Sequence, residues 1–95
     1  MCDTFLCHNG ISVFVELKTT KNNHILLQRS QIAWNISLFN SKGLSFFLVK
    51  HLLTSDLFLF EGSQAIELSD NGLLTKAILQ TKDIKEIIKS IFPGL

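Results

Sequence analysis

The sequence predicts an α/β fold, a single domain over residues 1–95 with a small mixed β-sheet flanked by helices. Three observations carry that expectation. Asn9-Gly10 is the strongest short hairpin signal a chain can hold, and it lies between two runs that read as strands. A helix-period stretch after Arg29 leads into a continuous apolar run, so strand, helix and strand follow one another as in a parallel crossover. Near the end, Ile84, Ile87, Ile88 and Ile91 form one apolar stripe at helical spacing.

The first strand covers residues 3–8 and its partner residues 11–18. With Asn9 and Gly10 as the whole loop, His8 faces Ile11, Leu6 faces Val13 and Asp3 faces Glu16. Ile11, Val13, Val15 and Leu17 make one face of the second strand, and Ser12, Phe14, Glu16 and Lys18 the other. Phe14 implies that this other face is at least partly covered. Residues 19–24 read as a polar loop. A helix starts near Arg29 or Ser30 and runs to about Ser41; Ile32, Ile36 and Phe39 recur at helical spacing, as do Trp34 and Leu38, and Gly43 stands where a closing glycine belongs.

Residues 44–50 form an apolar strand of the kind covered on both faces of a sheet. Residues 56–60 make a fourth short strand, and Glu61-Gly62 a turn. Residues 63–70 read as a short helix capped by Ser63 and stopped at Asn71-Gly72, or as extended chain over 65–68. Thr81 is the expected N-cap of the last helix, with Asp83 in its first turn and Pro93-Gly94 at its end.

A hydrophobic content of 46% with eight Phe supplies a core and excludes a disordered chain. So much apolar surface on 95 residues also points to self-association, expected as a homodimer. The net charge of +1 selects no partner, but it is unevenly spread. Residues 1–51 carry Lys18, Lys21, Arg29, Lys42 and Lys50 against Asp3 and Glu16, whereas the remainder carries four Lys against six acids. This is a modest bias of the first half toward a polyanion. Cys2 and Cys7 have neither C-x-x-C nor zinc-site spacing and read as free thiols of a reducing compartment. His8, His24 and His51 read as polar surface residues. No leader sequence and no apolar run of about 18 residues is visible, so no membrane partner is expected and the cytoplasm is the expected compartment, that of the host cell if the chain is viral.

The candidate chemistry lies in the hairpin. Two carboxylates directly opposite each other, Asp3 and Glu16, repel unless a positive charge intervenes. A divalent cation offsets them, since clustered carboxylate oxygens suit Mg²⁺ or Mn²⁺. Lys18, on the same face, could hold a phosphate or a water beside that metal. Without such a pairing, Asp3 is a polar residue near a terminus and Glu16 and Lys18 an exposed pair on a strand. Both sit at the polar end of a strand whose apolar face is carried by Val13, Val15 and Leu17, so neither is expected to support the fold.

Asp3 followed by Glu16-Leu17-Lys18 resembles the D…(E/D)xK core of the PD-(D/E)xK nucleases. The run Leu27-Gln28-Arg29-Ser30-Gln31-Ile32-Ala33-Trp34 is similar to the "Leu-Ser-Pro-x-Gln, aromatic" segment of their virus-type replication-repair (VRR-Nuc) branch, which includes small stand-alone phage members. The strand beginning at Phe46 resembles the one that follows this helix in the family. The likeness covers roughly residues 2–60.

The resemblance implies a restriction-endonuclease-like fold and a hydrolase, a metal-dependent endodeoxyribonuclease of DNA repair acting on branched or four-way-junction DNA as a dimer. Asp3, Glu16 and the backbone carbonyl of Leu17 would hold Mg²⁺ or Mn²⁺, Lys18 and Gln31 would assist catalysis, and Lys21 and Arg29 would touch the DNA backbone. Cys2 stands where the family usually has Pro, and Gln28-Arg29 where it has Ser-Pro. No helix precedes Asp3, which fits a minimal member or a piece of a longer chain. A non-catalytic phage accessory protein or nucleic-acid-binding dimer on the same scaffold is the alternative.

Overall fold

The computed structural model describes residues 4–8, 11–40 and 44–92. Strand β1 (Thr4–His8) pairs antiparallel with β2 (Ile11–Thr20), setting His8 opposite Ile11, Leu6 opposite Val13 and Thr4 opposite Val15. This is the register expected from the Asn9-Gly10 signal. Asp3, Asn9, Gly10, Ser41, Gly43 and Pro93-Gly94 lie outside the described residues.

Helix α1 (Arg29–Asn40) connects β2 to β3 (Leu44–His51), which lies parallel to β2 as anticipated. β2 is longer than the expected 11–18, because Thr19 and Thr20 pair with Lys50 and His51 and the Thr20 carbonyl accepts from Leu52 N. The polar loop is correspondingly shorter. β4 (Leu57–Glu61) pairs antiparallel with β3, and β5 (Leu79–Thr81) antiparallel with β4, giving a five-stranded mixed sheet in the order β1-β2-β3-β4-β5.

The segment after β4 is helical rather than extended. A 3-10 turn, Gly62–Gln64, leads into α2 (Ala65–Asn71) and a second turn, Gly72–Leu74. Ser63 is not the cap. Glu61 and Gln64 form a reciprocal capping box, and Ser63 Oγ donates to the Glu61 carboxylate at 2.6 Å. The last helix, α3 (Ile84–Ile91), is capped by Asp83, whose carboxylate accepts from Lys85 N at 2.9 Å. Thr81, the expected cap, lies in β5 instead; its Oγ1 accepts from Asp83 N.

Side chains alternate along the strands, so the sheet carries two apolar layers. On one face Phe47, Val49 and Phe60 pack with Ala65 and Leu68 of α2 and with Ile25 and Leu27 of the chain leading into α1. On the other, Val13, Val15 and Leu59 pack with Ile87, Ile91 and Phe92 of the C-terminal segment. β3 is covered on both faces, with Phe47 and Val49 fully buried and Phe46 and Leu48 half-buried. Half of the isoleucine stripe is core, while Ile84 and Ile88 are exposed. No described helix is long and apolar enough to cross a membrane.

The loop after β2 is held by short polar contacts. Thr20 Oγ1 reaches the carbonyl oxygens of Asn22 and His24 at 2.7 and 2.9 Å, and Asn23 O accepts from Leu73 N at 2.9 Å. That last bond brings the loop against Gly72, whose φ of 57° and ψ of −137° suit only glycine. A Cβ there would lie 1.8 Å from the Asn23 carbonyl oxygen. Gly72→Ala is therefore expected to lose about 2 kcal/mol or more in urea denaturation, combining strain with overpacking against a backbone atom that cannot turn away. Gly62→Ala is expected to lose less, since the nearest atom its Cβ meets is the rotatable Ser45 hydroxyl, and the next, Ser45 Cβ and Asn35 Oδ1, are 3.1 and 3.2 Å away. Equal losses would contradict this account.

Candidate functional site

Alternation along β2 sends Phe14, Glu16, Lys18 and Thr20 to the face covered by α1 and α2. Glu16 sits opposite Phe47 in the β2–β3 ladder and is 1% exposed. The alternative of an exposed Glu16–Lys18 pair does not hold, and the cover that Phe14 implied for this face is present. The alternation identified its face, and the helix laid across that face buries it. Lys18, one step further along, is half-buried.

α1 reaches this face with its first two turns. Gln31 and Trp34, three residues apart, are neighbours on one side of the helix. Trp34 meets Phe14 edge to face, with ring centroids 5.2 Å apart and planes at 84°. Gln31 Nε2 donates to Glu16 Oε2 at 3.1 Å, and Lys18 Nζ donates to Gln31 Oε1 at 3.2 Å. As β2 advances from Phe14 to Lys18, its partners on α1 run from Trp34 back to Gln31. The helix thus lies antiparallel to the strand, as a crossover requires.

The Gln31 side chain has a third bond. Its Oε1 also accepts from Gln28 N at 3.0 Å, while Gln28 O accepts from Ile32 N as the helix begins. This is the N3-to-N-cap half of a capping box, present without a hydroxyl at the cap position. The three bonds fix the amide orientation. Turned over, the amide would set its NH₂ against an ammonium and a backbone N–H, and its oxygen against a carboxylate.

Glu16, Lys18 and Gln31 are therefore brought together from two separate segments, with the neutral amide spanning anion and cation. Its donor end meets the carboxylate and its acceptor end the ammonium. Lys21 and Arg29, expected to touch DNA, are both exposed, the first in the loop after β2 and the second at the start of α1. Leu17 lies on β2 with its side chain toward the α3 layer and about half exposed. His24 is exposed, and His51 Nδ1 accepts from Leu53 N at 3.2 Å within the turn after β3.

Asp3, the proposed second carboxylate, lies outside the described residues. Among the described residues, no group of three or more His, Cys, Asp or Glu gathers as a metal cage. Two contributors were not legible beforehand. The Trp34–Phe14 contact joins residues that periodicity assigned to separate elements. Asn35, fully buried at the inner face of α1, belongs to neither of the apolar series that helical spacing picks out. Comparison with family models, with curated proteins and with solved structures gives no match for this chain.

The Gln31 bonds generate a stability prediction. Gln31→Met keeps the length and volume of the side chain and removes all three bonds. It is expected to cost about 1–3 kcal/mol in thermal or urea unfolding, the scale of a lost cap plus a bond to a buried charge. A loss below about 0.5 kcal/mol would show that the amide carries no weight in the fold.

Proposed function

We propose that this protein is a Mg²⁺- or Mn²⁺-dependent endodeoxyribonuclease of the PD-(D/E)xK type, VRR-Nuc branch, that cuts branched DNA as a cytoplasmic homodimer. The observation that carries the reading is the convergence of Glu16, Lys18 and Gln31. A strand supplies the carboxylate and the lysine, and the first turn of the following helix supplies the amide that touches both. A carboxylate buried at 1% exposure beside two aromatic side chains is also an unusual place for a residue that serves only solubility.

The donor set suits a hard cation. Mg²⁺ commonly binds through one or two carboxylates, completing its shell with water and substrate phosphate, and needs no nitrogen or sulfur ligand. Glu16, Asp3 and the Leu17 carbonyl would hold it. When bound, the ion supplies a water of lowered pKa and a Lewis acid at the phosphate. The chain's own residues do the remaining work. Lys18 orients the nucleophile and offsets negative charge as it develops on the phosphate. Gln31 holds the Lys18 ammonium at a fixed distance from Glu16, so that the charge is in place before substrate arrives. Lys21 and Arg29, exposed at either end of the loop between β2 and α1, meet the DNA backbone as sequence-independent phosphate contacts.

The test combines metal binding with cleavage. Because Glu16 is buried, its informative replacement is the near-isosteric Glu16→Gln rather than alanine. Wild type is expected to bind Mn²⁺ and to cut four-way-junction or flapped DNA in preference to linear duplex. Lys18→Ala should keep Mn²⁺ affinity within about threefold while losing about a hundredfold or more in cleavage rate, as expected when charge stabilisation is removed from a transition state. Glu16→Gln should lose both. If wild type binds DNA but cuts none of these substrates with either metal, the nuclease reading fails and a non-catalytic nucleic-acid-binding dimer replaces it.

A further inference from the structure

The inner face of α1 holds a second polar group that the site does not use directly. Asn35 lies one turn after Gln31, is fully buried, and donates from Nδ2 to the Gln31 carbonyl oxygen at 2.8 Å. In an α-helix that carbonyl already accepts the i→i−4 bond from Asn35 N, so the helix does not need the amide to satisfy it. On the other side of the same amide, Asn35 Oδ1 and Ser45 Oγ are buried, and neither has a hydrogen-bond partner among the described residues.

The two oxygens are close. A Cβ added to Gly62 would lie 1.8 Å from Ser45 Oγ and 3.2 Å from Asn35 Oδ1. They are also complementary, since the serine hydroxyl donates and the amide oxygen only accepts. A leucine at position 35 would fill similar space and continue the apolar stripe without any of these demands, and a buried polar group with an unmet bond costs stability. Helix stability alone does not account for Asn35.

We propose that Asn35 is a positioning residue of the Glu16–Lys18–Gln31 site. Seated between the Gln31 carbonyl, to which it donates, and Ser45 of β3 with the bare Cα of Gly62, its amide sets how the first turn of α1 lies on the sheet. That in turn fixes the side chain spanning Glu16 and Lys18. The catalytic consequence rests on the nuclease reading, whereas the positional consequence does not.

The experiment compares wild type with the Asn35→Leu/Ser45→Ala double variant and with Ser45→Ala alone. It measures unfolding, water exchange of the Gln31 side-chain NH₂ by ¹H–¹⁵N NMR, Mn²⁺ affinity, and kcat and KM on junction DNA. The double variant is expected to be at least as stable as wild type. Its Gln31 NH₂ should nevertheless exchange about tenfold faster, the scale of loosening one hydrogen bond. Mn²⁺ binding should weaken and kcat should fall with KM little changed. Ser45→Ala should move the same signals in the same direction by less.

Unchanged Gln31 exchange in the double variant overturns the proposal, whatever happens to stability, because Asn35 is then a core filler. If the double variant does not fold, the exchange rate in Ser45→Ala decides: faster supports the proposal, unchanged overturns it. A wild type that neither binds Mn²⁺ nor cuts DNA defeats the nuclease reading alone, since the NMR readout needs neither.

Discussion

The parallel pairing of β2 with β3 is the constraint from which the rest of the structure follows. Parallel neighbours cannot be joined by a tight turn, so the chain must travel back along the sheet before β3 can begin. α1 makes that return, and it must run antiparallel to β2 across one of its faces. The loop after β2 is short and pinned by Thr20 and by the Asn23–Leu73 bond, which limits where the helix can start. Its first turn accordingly lands over Glu16 and Lys18, and its next over Phe14. The meeting of Gln31 with two residues thirteen and fifteen positions away is thus a consequence of topology.

That placement has an energetic cost that packing does not explain. Taking a carboxylate out of water costs several kcal/mol even after relaxation. A hydrogen bond to a charged group returns about 1.5–3 kcal/mol, and the Gln31 amide supplies one such return. Asn35, one turn further along α1, and Ser45 of β3 are likewise buried polar residues. Buried polar groups gather on the face of the sheet beneath α1. The opposite layer, of Val13, Val15, Leu59, Ile87 and Ile91, is apolar. Departures from the cheapest core are expected where a protein keeps a site.

Much of this was legible in the sequence where local rules act alone. The Asn-Gly pair implied the hairpin register, the helical spacing bounded α1 to within a residue or two, and the apolar run located the parallel strand. The failures have separate physical origins. Three residues are too few to show a period, so β5 was invisible; it exists because Phe58 and Leu59 of β4 offer it an edge. Thr81 and Asp83 are both capping residues two positions apart, and pairing of Thr81 with Leu57 left Asp83 to cap α3. Ser63 gave way to Glu61 because a carboxylate two residues earlier could close a reciprocal box with Gln64.

For the site, alternation reveals which face a residue takes but not how deep it lies. Depth depends on what another segment lays over that face. Alternation places Glu16 on the face of Phe14 and Lys18, and Phe14 implies some cover there, but nothing local to β2 says that α1 supplies it or that Glu16 is buried completely. Gln31 illustrates the converse. As an N3 residue it organises the start of its own helix, and as a bridging amide it joins Glu16 to Lys18, with one oxygen shared between the two tasks. The first turn of α1 and the polar cluster on β2 are therefore completed by the same side chain. Ordering the turn orders the cluster, and a change that releases the amide from Glu16 and Lys18 also loosens the point where the crossover begins.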